Sequence, residues 1–211
     1  MRNANMKVEY NTDNSPVEYL DAINIMEQRI ADIHNYKASE MLWFLEHPPI
    51  YTAGTNSNPS ELLNLNDIPT YQTGRGGKHT YHGPGQRIIY LMLDLRAREQ
   101  DLRKYVANVE DWIIASLKEL GLITMRKEGR IGIWTDSPLG EAKIAAIGIR
   151  VRKWITYHGV AINVNPNLEH YKGIIPCGIK EFGVTSLKQL GYNILYRELD
   201  EILKSKFHDF F

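Results

Sequence analysis

The sequence has a single cysteine, Cys177, in 211 residues. One thiol forms no disulfide within the chain, and it cannot supply the several thiolates of a zinc finger or an iron–sulfur cluster. A lone free thiol suits a reducing compartment. Net charge is lacking as well: 25 Lys and Arg meet 25 Asp and Glu, so no electrostatic footprint for nucleic acid shows at whole-chain level. Long apolar runs are missing too. The longest compact one, Ile88 to Leu93, has six residues, far short of a membrane span, and Met1 to Asn14 contains no apolar core of signal-peptide length. Repeats, low-complexity tracts and Pro/Gly/Ser linkers do not occur. The expectation is one soluble, cytoplasmic domain over residues 1–211, with no nucleic-acid or membrane partner.

The composition that remains is ordinary, 43% hydrophobic and 24% charged. It excludes disordered, collagen and coiled-coil classes and suffices for one core. A helix is expected from Ser15, with Ser15 as cap, Pro16 at the first helical position and Glu18 closing a capping box. Leu20, Ile23, Ile30 and Ile33 follow near helical spacing. Met41–Leu45 and Arg87–Leu95 read as buried strands. Residues 46–86 are mostly turn residues, a loop of a length that usually binds something. Asp101–Leu120 is the clearest helix, with Leu102, Tyr105, Val106, Val109, Trp112, Ile113, Leu117 and Leu120 on one face and Gly121 as its stop. Short strands are expected at 122–125, 131–134, 144–151 and 160–164, joined by tight turns, then short helices at 185–190 and 196–206. Helices around a strand-rich middle without regular βαβ alternation indicate an α+β fold with a mixed, largely antiparallel sheet flanked by helices.

Three segments carry candidate chemistry. Gly74 to Gln86 holds five glycines in its first twelve residues, which lets backbone approach a ligand closely. Arg75, Lys78, His79, Thr80, Tyr81 and His82 add hydrogen-bond donors. The segment is not a P-loop, since Gln72 stands where the first glycine belongs and His79 where the hydroxyl belongs. Nor is it a dinucleotide fingerprint, since His79 replaces the third glycine. An irregular glycine-rich hairpin accounts for the pattern equally well. Pro176-Cys177-Gly178 reads as a turn that presents the sulfur, against the usual burial of a free cysteine. With an ordinary pKa of about 8.5, such a thiol needs a cation or base nearby to react as thiolate. Lys143 opens an otherwise apolar strand in which Ala142, Ala145, Ala146 and Gly148 are small. It either blunts a sheet edge or stands beside a groove wide enough for an extended apolar ligand. His158 and His47 are candidate bases or hydrogen-bonded structural histidines, and His34, His170 and His208 carry no assignment. No His-Glu-x-x-His spacing occurs, and no metal site is expected. Basic clusters at Arg96/Arg98/Arg103/Lys104 and Arg150/Arg152/Lys153 read as solvated faces or as a meeting place for an acidic partner.

Taken together and in order, five segments resemble the lipoyl(octanoyl) transferases of lipoate biosynthesis. They are Glu46-His47-Pro48-Pro49-Ile50-Tyr51-Thr52-Ala53-Gly54, Arg75-Gly76-Gly77 through His82-Gly83-Pro84-Gly85-Gln86, Lys143-Ile144-Ala145-Ala146-Ile147-Gly148, Thr156-Tyr157-His158-Gly159 with Asn163-Val164, and Ile175-Pro176-Cys177-Gly178-Ile179 with Val184-Thr185-Ser186-Leu187. The resemblance implies a fold related to the catalytic domains of biotin and lipoate protein ligases, with no cofactor. It implies octanoate arriving as a thioester on acyl carrier protein and leaving as an amide on a lysine. The acceptors it implies are lipoyl domains of 2-oxoacid dehydrogenase complexes and the glycine-cleavage H protein. By the same resemblance Cys177 is the nucleophile and Lys143 the residue set beside it. Arg75, Gly76, Gly77, Lys78, His79, Thr80, Tyr81 and His82, then Ala146, Ile147 and Gly148, then Gly159, Val160 and Ala161, bind the acyl group. Six buried methylenes at about 0.8 kcal/mol each supply roughly 5 kcal/mol of binding. The rival readings are an ATP-dependent lipoate or biotin ligase on the same fold, a non-catalytic acyl-binding module, and a cysteine hydrolase.

Overall fold

The computed structural model describes residues 7–63, 67–138, 140–174 and 183–211. In chain order the elements are β1 (Val8–Thr12), α1 (Tyr19–His34), β2 (Glu40–Leu45), β3 (Ile50–Ala53), β4 (Thr70–Gln72), β5 (His79–His82), β6 (Gln86–Met92), α2 (Leu102–Glu119), β7 (Met125–Lys127), β8 (Arg130–Ser137), β9 (Gly140–Arg152), β10 (Ile155–Asn163), β11 (Gly183–Val184) and α3 (Tyr196–Phe207). Among the described residues, β1-β2-β6-β10-β9-β8-β7 lie side by side in one sheet, and β11 adds to β9. The β1–β2 and β11–β9 pairings are parallel and the others antiparallel. A second, smaller sheet has the order β4-β3-β5. The architecture is the mixed α+β one that the segment pattern indicates.

Strands β2 and β6 are buried along their whole length, and the two-residue period of a strand sorts their side chains onto two faces. Met41, Trp43 and Leu45 join Ile88, Tyr90 and Met92 against Ala22, Met26 and Ile30 of α1. Leu42, Phe44, Ile89 and Leu91 face the other way, onto Trp112, Ile113 and Leu117 of α2 and Leu203 and Phe207 of α3. Helix α2 begins where Asp101 accepts hydrogen bonds from the N–H groups of Arg103 and Lys104 at 2.9 and 3.1 Å, a side-chain cap. Helix α3 is fixed by a buried ion pair. Arg87 donates through Nε and Nη2 to the Asp200 carboxylate at 2.8 and 2.6 Å, with its guanidinium against the rings of Phe44 and Tyr196.

Several local expectations need correction. Helix α1 starts at Tyr19, not Ser15, and no side chain caps it. The segment before it is spent on tertiary hydrogen bonds: Asp13 N–H and Val17 N–H donate to Phe44 and Glu46 carbonyls, both at 2.9 Å. Its buried face is accordingly Tyr19, Ala22, Met26, Ile30 and Ile33, and Leu20 is 57% exposed. Residues 46–86 are not one loop, because β3, β4 and β5 lie within them. Strands of three and four residues between prolines and glycines are too short to show a period. Residues 185–190 form turns instead of a helix. Their donors are taken by the sheet, Thr185 N–H by Lys143, Leu187 N–H by Asn163 and Lys188 N–H by Val164.

Replacing Asp200 by Ala leaves the Arg87 cation buried without its partner, which costs about 3–5 kcal/mol. Urea unfolding of Asp200→Ala should show a loss of that size; a loss below about 1 kcal/mol would mean that the pair is effectively solvated.

Candidate active site

A cavity of about 400 Å³ runs along β9 and β10. Three cross-strand rungs line it, Ala146 opposite Ala161, Ile147 opposite Val160, and Gly148 opposite Gly159. Ala146, Ala161, Gly148 and Gly159 leave space that bulkier side chains would fill. Ile88 and Tyr90 of β6 and Tyr19 of α1 form one wall, and the 75–80 segment with His82 forms another. Lys143, Arg130 and Ile131 lie at one end with Leu102 and Val106 of α2. The outer edge of β9 makes this possible: β8 pairs with it only as far as Ala145.

The 75–78 segment is held by its own arginine. Arg75 is buried and donates from Nη2 to the Thr52 carbonyl, the Thr52 hydroxyl and the Lys78 carbonyl at 2.7, 2.7 and 2.9 Å, and from Nη1 to the Gly76 carbonyl at 2.9 Å. These bonds fold the loop around the guanidinium and lock it to β3. Gly54 is required at the crossing, since a Cβ there would lie 2.3 Å from the Gly77 carbonyl oxygen. Lys78 pairs with Glu61 at 2.5 Å, and the same carboxylate lies 3.8 Å from His79 Nδ1.

Lys143 does not blunt an edge. It has β8 on one side, opposite Trp134, and β11 on the other, opposite Val184, and it is 7% exposed. Its ammonium donates to the Ile131 carbonyl at 3.0 Å and lies 4.8 Å from the centre of the Trp134 ring, a cation–π distance. Gly132 makes the room. A Cβ there would stand 3.4 Å from the Lys143 Nζ and 2.7 Å from the Ala145 carbonyl oxygen, at a φ of 116°.

Three histidines at and behind the cavity, His47, His82 and His158, are neutral at pH 7. Burial pushes the pKa of His47 down to about 4, and that of His82 and His158 down to about 3, with the Arg75 charge adding to the effect on the latter two. Burial also lowers His79, against the pull of Glu61. Neutrality fixes one tautomer. His47 Nδ1 faces the Val17 carbonyl at 2.6 Å, which only accepts, so Nδ1 carries the hydrogen and Nε2 accepts from the Tyr90 hydroxyl at 2.6 Å. His47 is thereby a positioning residue for Tyr90, not a free base.

Of the expected site residues, Arg75, Gly76, Gly77, Lys78, His79, Thr80, His82, Lys143, Ala146, Ile147, Gly148, Gly159, Val160 and Ala161 all border the one cavity. Tyr81 stands apart from them. Its side chain points away, with its hydroxyl bonded to His170 Nδ1 at 2.8 Å and its ring among Tyr51 and Tyr171, because neighbours in a strand alternate sides. Cys177 lies outside the described residues, as does the turn expected around it. The chain on its far side returns beside the lysine, Gly183 pairing with Ala142 and Val184 with Lys143. Sequence reasoning missed Thr52, Tyr90, Tyr19 and Gly132. Only Gly132 leaves a trace in the sequence, a glycine inside an otherwise strand-like run. In the basic clusters, Arg96 pairs with Asp94, Arg98 with Glu40 and Lys104 with Glu99, whereas Arg150 lies over the Tyr157 ring. Among the described residues no group of three or more metal-binding side chains is assembled, and no helix is long and apolar enough to cross a membrane.

The family model for the lipoyl protein ligase A/B catalytic domain matches residues 18–208. A protein of Zymomonas mobilis named octanoyltransferase is 52% identical over 200 residues, 95% of this chain and 93% of that one. The octanoyltransferase of Ehrlichia ruminantium is 52% identical over 205 residues, 97% of this chain and 99% of that one. The chain belongs to the lipoyl protein ligase A/B catalytic domain family, and within it to the octanoyltransferases. It is a transferase enzyme. The crystal structure of a lipoate-protein ligase A bound with ATP shares its fold, with a TM-score of 0.72 at 16% identity over 95% of this chain and 85% of that one.

Three imidazoles that stay neutral in the fold take up protons on unfolding. Their folded pKa values lie below the unfolded value of about 6.5, so their stabilising effect is full above pH 6.5 and declines as pH falls toward their folded values. Urea unfolding should show stability falling from pH 6.5 to 5 with an uptake approaching three protons at pH 5. A stability that is flat across that window would mean that the rings are charged in the folded protein.

Proposed function

We propose that this transferase moves an octanoyl group from the thioester of an acyl carrier protein to a lysine of a lipoyl domain or of the glycine-cleavage H protein, through a thioester on Cys177. The observation that carries the reading is the cavity of about 400 Å³ with the Lys143 ammonium at one end and three rungs of mostly small residues leading away from it. That is the shape an alkyl chain with one reactive end requires. The octanoyltransferase name of relatives at about half identity over nearly the full chain supports the same reading, and a lone thiol fits a cytoplasmic setting.

The chemistry balances without ATP, because the thioester is already activated. The Cys177 thiolate, stabilised by the Lys143 ammonium, attacks the thioester carbonyl. The carbon–sulfur bond to the carrier breaks, and the Lys143 ammonium gives its proton to the departing carrier thiolate, which leaves Lys143 as a neutral amine. The acceptor amine then attacks the acyl-enzyme. Lys143 takes the proton that the amine gives up, an amide forms, and the bond to Cys177 breaks to regenerate the thiolate. Burial of the chain on the cavity rungs contributes roughly 5 kcal/mol to holding the donor. Arg75 shapes the wall and takes no part in proton transfer, since a guanidinium stays charged.

Intact mass after mixing with octanoyl carrier protein, without ATP, tests the proposal. The expected result is a gain of one octanoyl group that is absent in Cys177→Ala and passes to a lipoyl domain. An absolute requirement for ATP would favour a ligase. Release of free octanoate in the presence of acceptor would favour a hydrolase, and label held without transfer a binding module. Lys143→Ala should slow acylation and move its pH optimum upward, whereas Lys143→Arg should retain acylation but lose transfer to the acceptor. An unchanged pH profile in Lys143→Ala would remove the charge pairing from the mechanism.

A further inference from the structure

Beyond the three rungs of the acyl site the cavity continues by one more, His158 opposite Ile149. This rung lies at the end away from Lys143, and it is polar. His158 is 4% exposed and borders the cavity, yet its ring makes no hydrogen bond among the described residues. Its backbone is left-handed, with φ 58°, the only such residue in β10. Neighbours in a strand normally point to opposite faces. Here the ring of His158 stacks on that of Tyr157, 5.0 Å between centroids, and meets Tyr90 edge-on at 6.0 Å. A non-glycine residue holds such a conformation only where its surroundings enforce it. His82 brings a second imidazole to the same end. Its Nδ1 donates to Gln86 Oε1 at 3.1 Å, and its Nε2 has no partner among the described residues.

We propose that His158, backed by His82, is the specificity-determining residue that limits the acyl chain to eight carbons. A longer chain has to lie across the His158 ring and strip its nitrogens of hydration without offering a hydrogen bond in return. The cost of leaving a buried polar group unpaired outweighs what one more methylene gains. Protonation does not relieve the cost, because burial keeps both rings neutral. A chain that ends at the Gly148–Gly159 rung meets apolar side chains and backbone and does not reach the His158 ring. This inference rests on the reading of the cavity as the octanoyl site.

The test compares the full-length wild type with His158→Gly and His158→Asn. Glycine removes the ring and asparagine keeps a polar group, and both tolerate the left-handed backbone. Two readouts are taken: Kd for octanoic and decanoic acid by calorimetry, and kcat/KM with octanoyl and decanoyl carrier protein as donors. The wild type should favour eight carbons in both. In His158→Gly the preference for ten carbons over eight should rise about tenfold, the worth of two further buried methylenes, and His158→Asn should stay within threefold of the wild type. A ratio that does not move in His158→Gly overturns the proposal. So does a wild type that binds decanoic acid as tightly as octanoic acid, a result that needs no variant to fold. Fatty acids discriminated as expected while no octanoyl group is transferred would support the length limit and count against the proposed reaction.

Discussion

The position of one ammonium group organises the site. Lys143 lies within the large sheet, with a strand on either side. Taking a cation out of water costs several kcal/mol unless polar or aromatic partners surround it. The Ile131 carbonyl at 3.0 Å and the face of Trp134 at 4.8 Å meet that need on one side. Both come from β8, and they reach the ammonium because Gly132 between them has no side chain. The backbone at Gly132 has a φ of 116°, which a side chain would strain whatever the space around it. The β8–β9 register shifts between Ile133 and Trp134, so the irregularity of the strand and the placement of the charge belong to the same local arrangement.

Away from that charge the cavity wall is held by hydrogen bonds of its own and by uncharged rings. Arg75 spends its hydrogen bonds on the backbone of its own loop and on Thr52, so this buried cation serves as a clasp. The imidazoles of His47, His82 and His158 stay uncharged through burial, and His47 holds the Tyr90 hydroxyl in a chain that ends on the Val17 carbonyl. The extended segment before α1 therefore belongs to the site wall as well as to the fold. An apolar chain is well served by such a lining, and the ammonium at the far end is left as the feature that distinguishes a reactive head from an inert tail.

Much of this was readable in the residues, and the exceptions have physical causes. Helix α2 was plain because Asp101, the run from Tyr105 to Leu117 and Gly121 all state the same thing. The order of the short strands after it was plain too, although β9 and β10 extend beyond their apolar stretches into residues such as Arg152 and Tyr157 that lie between the expected strands. Lys143 stays ambiguous when read locally, because a lysine at the head of a strand fits an edge as well as a groove until the partner strands are known. Thr52, Tyr90 and Tyr19 were out of reach: each is an ordinary residue of a strand or helix, and only the tertiary pairing of β3 with the Arg75 loop and of β6 with β10 makes it part of a wall. The helix start at Ser15 failed for a related reason. A capping sequence competes with tertiary hydrogen bonds, and here Glu46 and Phe44 won the backbone donors.

The central claim is that the Lys143 ammonium makes the sulfur of Cys177 reactive at neutral pH. Because Cys177 is the only cysteine, the alkylation rate of the whole protein by iodoacetamide reads that sulfur alone. Measured against pH, the rate should rise with a midpoint well below the ordinary thiol value of about 8.5, and in Lys143→Met the midpoint should move up toward that value. Superimposable profiles for the two proteins, both with midpoints near 8.5, would contradict the account.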